Sequence, residues 1–320
     1  MIANQTPHST PAPPKPRTWT WYVVRAVLIF TIIPYVAITV FMTVAQRSLI
    51  YRPTKTKRLP ANALVLSGLQ ADDVEIHVDD SLTLHGWRFH GRSPADFEPR
   101  FLVIYFPGNG GCRAHRVTDC CDFAELGCDV VLFDYRGYGD NQGSPSESAL
   151  ADDARRIWTF ATEELQFPPE RIVVFGESLG GAMATRLAAE LSQAGSPPAA
   201  LVLNSTFASL TETVAWHYPA LPVRQLLWDR YPSVERIAHV TCPILQYHGT
   251  ADDVVAFEHG QHLFATAPSR SMQGIENQFV TIPGGQHNYI TMSDMRATFS
   301  PLLHRICAEA NDRGQRQLEP

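Results

Sequence analysis

Residues Val173-Val174-Phe175-Gly176-Glu177-Ser178-Leu179-Gly180-Gly181 constrain the fold of this chain more than any other stretch. Three apolar residues read as the end of a buried strand. A Gly-x-Ser-x-Gly turn follows. Ala182 to Leu191 then reads as a helix, rich in Ala and Leu and free of Gly and Pro. A serine on a sharp turn between strand and helix is what a nucleophile elbow requires. Glycines on either side leave room for the strained backbone and for close strand–helix packing. The competing reading is a glycine-rich β–α turn with an ordinary serine, so the rest of the chain has to discriminate.

Length and charge narrow the choice. The chain has 320 residues, enough for one large α/β domain after a non-globular N-terminus. A formal net charge of −6 and the lack of a basic stripe interleaved with aromatics argue against a nucleic-acid partner. The six cysteines form no C-x-x-C pair, which argues against a zinc ribbon. Four of them fall between Cys112 and Cys128, where a disulfide is the alternative to the scattered buried thiols expected of a domain large enough to fold without staples.

The N-terminus reads as a tail and a span. Residues 1–18 are polar and proline-rich and are expected to be disordered. From Ala26 to Ala45 the chain is apolar, interrupted only by Thr31, Pro34, Thr39 and Thr43. As a helix, a run of about 20 residues covers about 30 Å, the thickness of a bilayer core. Trp19, Trp21 and Tyr22 lie at one edge, where amphipathic rings favour the interface. A cleaved signal peptide would have a shorter apolar region and a small-residue cleavage site. Gln46-Arg47-Ser48-Leu49-Ile50-Tyr51 is a poor one, so residues 19–46 are expected to be an uncleaved transmembrane anchor. Lys15, Arg17 and Arg25 flank one side, and Arg47, Arg52, Lys55, Lys57 and Arg58 the other. That balance leans towards a cytoplasmic C-terminal domain. Long domains are translocated against such a bias, so the side stays open.

Residues 47–71 read as a linker. From residue 72 strands and helices alternate to about 312, with a polar tail at 313–320 expected to be disordered. Val74, Ile76 and Val78 alternate along one strand and Leu82 to Phe89 along a second, with Asp79-Asp80-Ser81 as the turn of an opening hairpin. Phe101–Phe106, Val130–Asp134, Val173–Phe175, Ala199–Asn204, Pro243–Tyr247 and Gln278–Ile282 are strands separated by helical stretches. This alternation predicts a mostly parallel sheet flanked by helices. The segment 206–240 is long for a connection. It is rich in aromatic residues and broken by Pro219, Pro222 and Pro232, so it reads as a small helical cap. The alternative is a crossover helix with a ragged start.

A serine hydroxyl needs a base to take its proton and a third group to hold that base in the right tautomer. In open α/β sheets such groups sit on loops at the carboxyl ends of strands. Asp252 follows one strand and His287 follows the last, giving the order Ser178, Asp252, His287. Asp253 is the rival for Asp252. His248 suits a structural turn contact. His259 and His262 read as solvated helix histidines rather than metal ligands. For the oxyanion, one amide donor is Leu179, at the helix start. The second is Asn109, with Gly108 or Gly110 as alternatives, because Pro107 has no N–H.

Seven segments in order resemble the α/β-hydrolase superfamily over most of the chain, and within it the membrane-anchored, bud-emergence-protein-like branch, often described as serine aminopeptidase-like. They are Leu49-Ile50-Tyr51-Arg52-Pro53, Phe106-Pro107-Gly108-Asn109-Gly110-Gly111, Asp134-Tyr135-Arg136-Gly137-Tyr138-Gly139, Gly143-x-Pro145-Ser146-Glu147, Gly176-x-Ser178-x-Gly180, His248-Gly249-x-x-Asp252 and Gly284-Gly285-x-His287-Asn288. Pro107 stands where this branch usually has histidine. The resemblance implies an α/β-hydrolase fold with a short cap, and Ser178 as nucleophile with Asp252 and His287 as its partners. The expectation is a membrane-anchored serine hydrolase working without metal or organic cofactor. Its substrate would be a small-molecule or lipid acyl compound. A peptidase and a non-catalytic scaffold are the alternatives.

Overall fold

The computed structural model describes residues 18–64, 68–79, 81–92 and 100–316. The expected N-terminal tail up to residue 17, Asp80 of the expected hairpin turn and residues 317–320 lie outside them. The chain forms two compact units, Met1–Ala45 and Gln46–Pro320.

The first unit holds most of one apolar helix, Trp19–Ile50, in which a π segment joins α1 (Trp19–Val27) to α2 (Ile33–Ile50). Pro34 lies in the interior of this helix, directly after the π segment, whose last bond runs from Ile33 N to Leu28 O; the wider turn accommodates a residue with no N–H to give. By length and composition this helix is sufficient to cross a membrane.

The second unit is built on an eight-stranded sheet. Its strands are β2 (Ala71–Asp79), β3 (Leu82–Phe89), β4 (Leu102–Phe106), β6 (Asp129–Phe133), β7 (Ile172–Glu177), β8 (Ala200–Asn204), β9 (Ile244–Gly249) and β10 (Gln278–Ile282). Two short strands, β1 (Arg52–Pro53) and β5 (Gly110–Gly111), pair separately. The order across the large sheet is β10-β9-β8-β7-β4-β6-β3-β2. From β10 to β6 all neighbours are parallel, and β3 is antiparallel to both β6 and β2. β4, β6 and β8 are buried at every position and β7 at all but its last. That is why they read as unbroken apolar runs rather than alternating ones.

Helices cover both faces. α3 (Val117–Glu125) and α10 (Met292–Arg316) lie over a core of Tyr105, Phe123, Phe175 and Phe299. α4 (Glu147–Thr159), α5 (Leu179–Gln193) and α9 (Phe257–Thr266) enclose the other core, with Ile104, Val174, Met183 and Leu187. α4 starts at Ser146, whose Oγ accepts from Ala149 N at 3.2 Å and satisfies a first-turn amide. α10 runs to Arg316, past the expected domain end at 312.

The stretch 206–240 carries α6 (Leu210–His217), α7 (Val223–Leu226) and α8 (Ser233–Ile237). The expected cap is smaller than 206–240. α8 packs against α5 and α9 as part of the helix layer, with Ile237 and the following Val240 buried, whereas α6 and α7 turn one face to the core through Leu210 and Val223 and leave the other outward. The chain turns between the two parts at Tyr231, which adopts φ 45°.

The expected linker is also corrected. Arg52 N donates to Asn109 O at 2.9 Å, Thr54 N to Gly111 O at 2.8 Å and Thr56 N to Gly139 O at 3.0 Å. Residues 50–56 are a strap across the loops after β4 and β6. A segment that spends its backbone groups in pairing cannot behave as a free tether.

Candidate active site

The order of the sheet reverses between β4 and β7, because the chain builds outwards from β4 in opposite directions. The crevice outside the carboxyl ends of strands at such a point is where open α/β sheets place ligands. Ser178 follows β7 there, and the Pro107–Gly111 loop follows β4.

Ser178 adopts φ 52° and ψ −116°, a conformation that side-chain-bearing residues avoid. Such strain costs about 1–3 kcal/mol and persists only where the surroundings over-determine it. Here they do. Ser178 N donates to Asn204 O at 2.9 Å, and its carbonyl accepts from Thr206 Oγ1 at 2.7 Å and Gly181 N at 3.0 Å. A methyl group on Gly176 would overlap the Gly180 carbonyl, and one on Gly180 would overlap the carbonyls of Phe106 and Pro107. These two glycines let strand, helix and the β4 loop meet.

The structure brings Ser178, Asp252 and His287 together. His287 Nδ1 donates to Asp252 Oδ2 at 2.7 Å, and Ser178 Oγ donates to His287 Nε2 at 3.0 Å. The tautomer follows from the carboxylate, which can only accept from Nδ1. All three residues are buried. Asp252 Oδ1 also accepts from Val254 N at 3.0 Å and Val255 N at 2.8 Å. His248 is fully buried behind it, its Nε2 2.9 Å from Val255 O and 3.3 Å from Asp252 Oδ2. Burial pushes the Asp252 carboxyl up, but the hydrogen bonds from His248 and His287 outweigh it and hold the group well below the usual carboxylate range. A chain of this kind keeps an imidazole oriented to take a hydroxyl proton and stabilises the resulting imidazolium.

Leu179 opens α5, so its N–H has no partner within the helix. The opposing loop is fixed from three sides. Tyr135 Oη donates to Pro107 O at 2.7 Å, Tyr138 Oη to Asn109 O at 2.7 Å, and Asn109 Nδ2 to Ile50 O at 2.7 Å. These bonds engage the Asn109 carbonyl and one Nδ2–H and so fix the position of its backbone N–H. Sequence reading did not find these supports. Tyr135 and Tyr138 stand inside a quoted motif, but nothing in it says that their hydroxyls brace the loop after another strand.

A polar cluster lies beside the serine that local sequence did not reveal. Arg116 Nε and Nη2 donate to Glu177 at 2.7 and 2.9 Å, and Tyr105 Oη donates to Glu177 Oε2 at 2.9 Å. It borders a cavity of about 250 Å³ that also touches His287, Asn288 and Met292. Asp119 lines the same cavity, and burial, followed by the nearby Glu177 charge, raises its carboxyl to about 6.

The other candidates take other roles. Asp253 is exposed and Asp134 pairs with the buried Arg113. His259 is buried with Nδ1 3.3 Å from Thr213 Oγ1, which corrects its reading as a solvated histidine. His262 is exposed and sits 3.3 Å from Glu212. The six cysteines are free thiols.

A sequence profile described as the alpha/beta hydrolase fold matches residues 102–241. An uncharacterized protein of Mycobacterium tuberculosis is 39% identical over 297 residues, covering 91% of this chain and 98% of that protein. The lysophosphatidylserine lipase ABHD12 of Danio rerio is 34% identical over 211 residues, covering 60% of this chain and 55% of the lipase. Among solved structures, an alpha-beta hydrolase of Vibrio vulnificus superposes with TM-score 0.57 at 21% identity, covering 78% of this chain and 84% of that one. An esterase of Pyrococcus furiosus does so with TM-score 0.57 at 19% identity, covering 79% and 98%. The chain belongs to the α/β-hydrolase superfamily.

Proposed function

We propose that this chain is a membrane-anchored serine hydrolase of carboxylic esters. Ser178 is the nucleophile, His287 the base and then the acid, and Asp252 the group that orients the imidazolium. The observation that carries the reading is the continuous hydrogen-bond chain from Ser178 Oγ through His287 to Asp252, at 3.0 and 2.7 Å, on a strained turn. Ser178 Oγ attacks the acyl carbonyl as its proton passes to His287 Nε2. The oxyanion is met by the N–H groups of Leu179 and Asn109. His287 protonates the leaving alcohol, and water repeats the sequence to release the acid. The mechanism draws on no metal or organic cofactor.

The favoured substrate class is a lipid ester, and within it a single-chain phospholipid. The likeness to a lysophosphatidylserine lipase supports this, as does the apolar helix Trp19–Ile50, read as a membrane anchor. The seven ordered motifs favour the membrane-anchored, bud-emergence-protein-like branch of the superfamily for this chain.

Labelling with a fluorophosphonate probe tests the nucleophile. Wild type should label, and Ser178→Ala and His287→Ala should not. Ester turnover should fall by roughly 10⁴-fold or more in both variants. A folded wild type that does not label refutes the reading and favours a non-catalytic scaffold. Long acyl esters should be turned over at least roughly tenfold better than short ones, since each buried methylene adds about 0.8 kcal/mol. Equal turnover would remove the lipid assignment and leave the serine chemistry intact.

A further inference from the structure

The outward face of α6, α7 and the residues after them has an unusual surface. Trp216, Tyr218 and Trp228 are 50%, 47% and 56% exposed, and Pro219 and Ala220 between them are exposed too. From Thr213 to Trp228 the sequence has no Asp or Glu, and Arg224 is its one Lys or Arg. The acids at its borders are paired, Glu212 with His262 at 3.3 Å and Asp229 with Arg47 at 3.0 Å. Large aromatic rings left in water, with no carboxylate among them, are costly for a surface that meets only solvent.

This face is fastened to the residues that directly follow the apolar run. Gln46 is buried; its Nε2 donates to Leu226 O at 3.2 Å, and its Oε1 accepts from Trp228 N at 2.8 Å. The Arg47 guanidinium lies 5.8 Å from the centre of the Trp228 ring. Tyr51 Oη donates to Asp229 Oδ2 at 3.0 Å and lies 2.8 Å from Tyr231 Oη. At the other end, His217 Nε2 donates to Val254 O at 2.9 Å, two residues beyond Asp252. The face therefore runs from the end of the span to the loop that holds the acid of the candidate triad.

We propose that the surface of α6, α7 and Trp228 is a second membrane contact, seated in the headgroup region of the bilayer. This rests on the reading of residues 19–46 as an anchor. If the span lies in lipid, Gln46 and Arg47 lie at the lipid–water boundary. Their partners Leu226, Trp228 and Asp229 must lie there with them. Trp and Tyr rings favour that layer, because one edge is apolar and the other hydrogen-bonds to water. The lack of carboxylates removes the repulsion that anionic headgroups would otherwise exert. Lipid is the favoured occupant over a protein partner because the face is continuous with the residues that end the span.

The test uses the full chain in vesicles of phosphatidylcholine and phosphatidylglycerol whose acyl chains are brominated near the headgroup. Bromine quenches tryptophan emission on contact. Trp216→Phe and Trp228→Phe should each lower the quenched part of the emission by about a quarter, since Trp19, Trp21, Trp216 and Trp228 are the rings at an interface. Both substitutions keep an aromatic ring at an exposed site, so the fold is retained. Alkaline carbonate extraction reads the anchor separately. A chain that stays in the membrane, with both variants quenched like wild type, overturns the surface contact and leaves the anchor standing. A chain released by carbonate overturns the anchor and this proposal with it.

Discussion

Asp252 lies beside two imidazoles, and only the one that donates to it at 2.7 Å reaches the serine. His248 sits behind the carboxylate with no route to Ser178, so its contribution is to hold Asp252 in place. Replacing it with Ala should slow fluorophosphonate labelling roughly 10- to 100-fold, the weight of one hydrogen bond to a charged group, without abolishing it. Complete loss of labelling in a folded protein would give His248 a larger part than positioning. Asp119 provides a pH prediction. Its carboxyl is raised from 3.8 to about 6, so between those values the folded chain holds a proton that the unfolded chain gives up. The contribution of this one group to stability therefore falls as pH rises from about 4 through 6. Asp119→Asn removes this penalty. It should raise the unfolding midpoint at pH 8 by an amount on the order of 1 kcal/mol, partial exposure considered, with the gap closing below about pH 4. Thermal scans across that range decide it. The meeting of Ser178, Asp252 and His287 is legible in the sequence because each follows a strand and strand ends share one edge. The Arg116–Glu177–Tyr105 cluster is not legible. Its members come from three elements, and Arg116 and Glu177 read singly as surface charges.

At the scale of elements, the site depends on how closely a helix, a strand and a loop approach each other. Gly180 is the contact point, since a side chain there would run into the carbonyls of Phe106 and Pro107. Gly180→Ala should destabilise the protein by about 1–3 kcal/mol or more, through forced backbone movement, and should impair labelling as well. A variant with unchanged midpoint and labelling would show that the loop yields freely. Strands buried on both faces are the best-read elements, because a continuous apolar run bounded by glycine and polar residues leaves few alternatives. The cap is read less well. Trp216 and Trp228 stay exposed while Ile237 and Val240 enter the core. Composition alone does not separate an apolar residue that meets the body of the domain from one that does not.

In the whole molecule, sequence-distant contacts tie the residues after the apolar span to the segment around Asp229 and to the loops after β4 and β6. The residues after the apolar span pair with Asn109, Gly111 and Gly139, and Tyr51 reaches Asp229 and Tyr231 across the chain. Tyr51→Phe leaves the buried Asp229 short of a donor and should cost about 1–3 kcal/mol, measurable as a lower denaturation midpoint. This strap is what sequence reading takes for a linker, since Tyr51 to Lys57 shows neither helical nor strand periodicity. It has a consequence for where the enzyme begins. A chain cut to start at residue 60 keeps every strand of the large sheet, yet it lacks the partner that fixes the loop after β4. Such a chain should match the circular dichroism of one starting at Gln46 while reacting with the probe roughly tenfold or more slowly. The boundary of catalysis would then lie upstream of the boundary of the fold, and trimming the protein to its visible domain would discard the strap that holds the loop carrying Asn109.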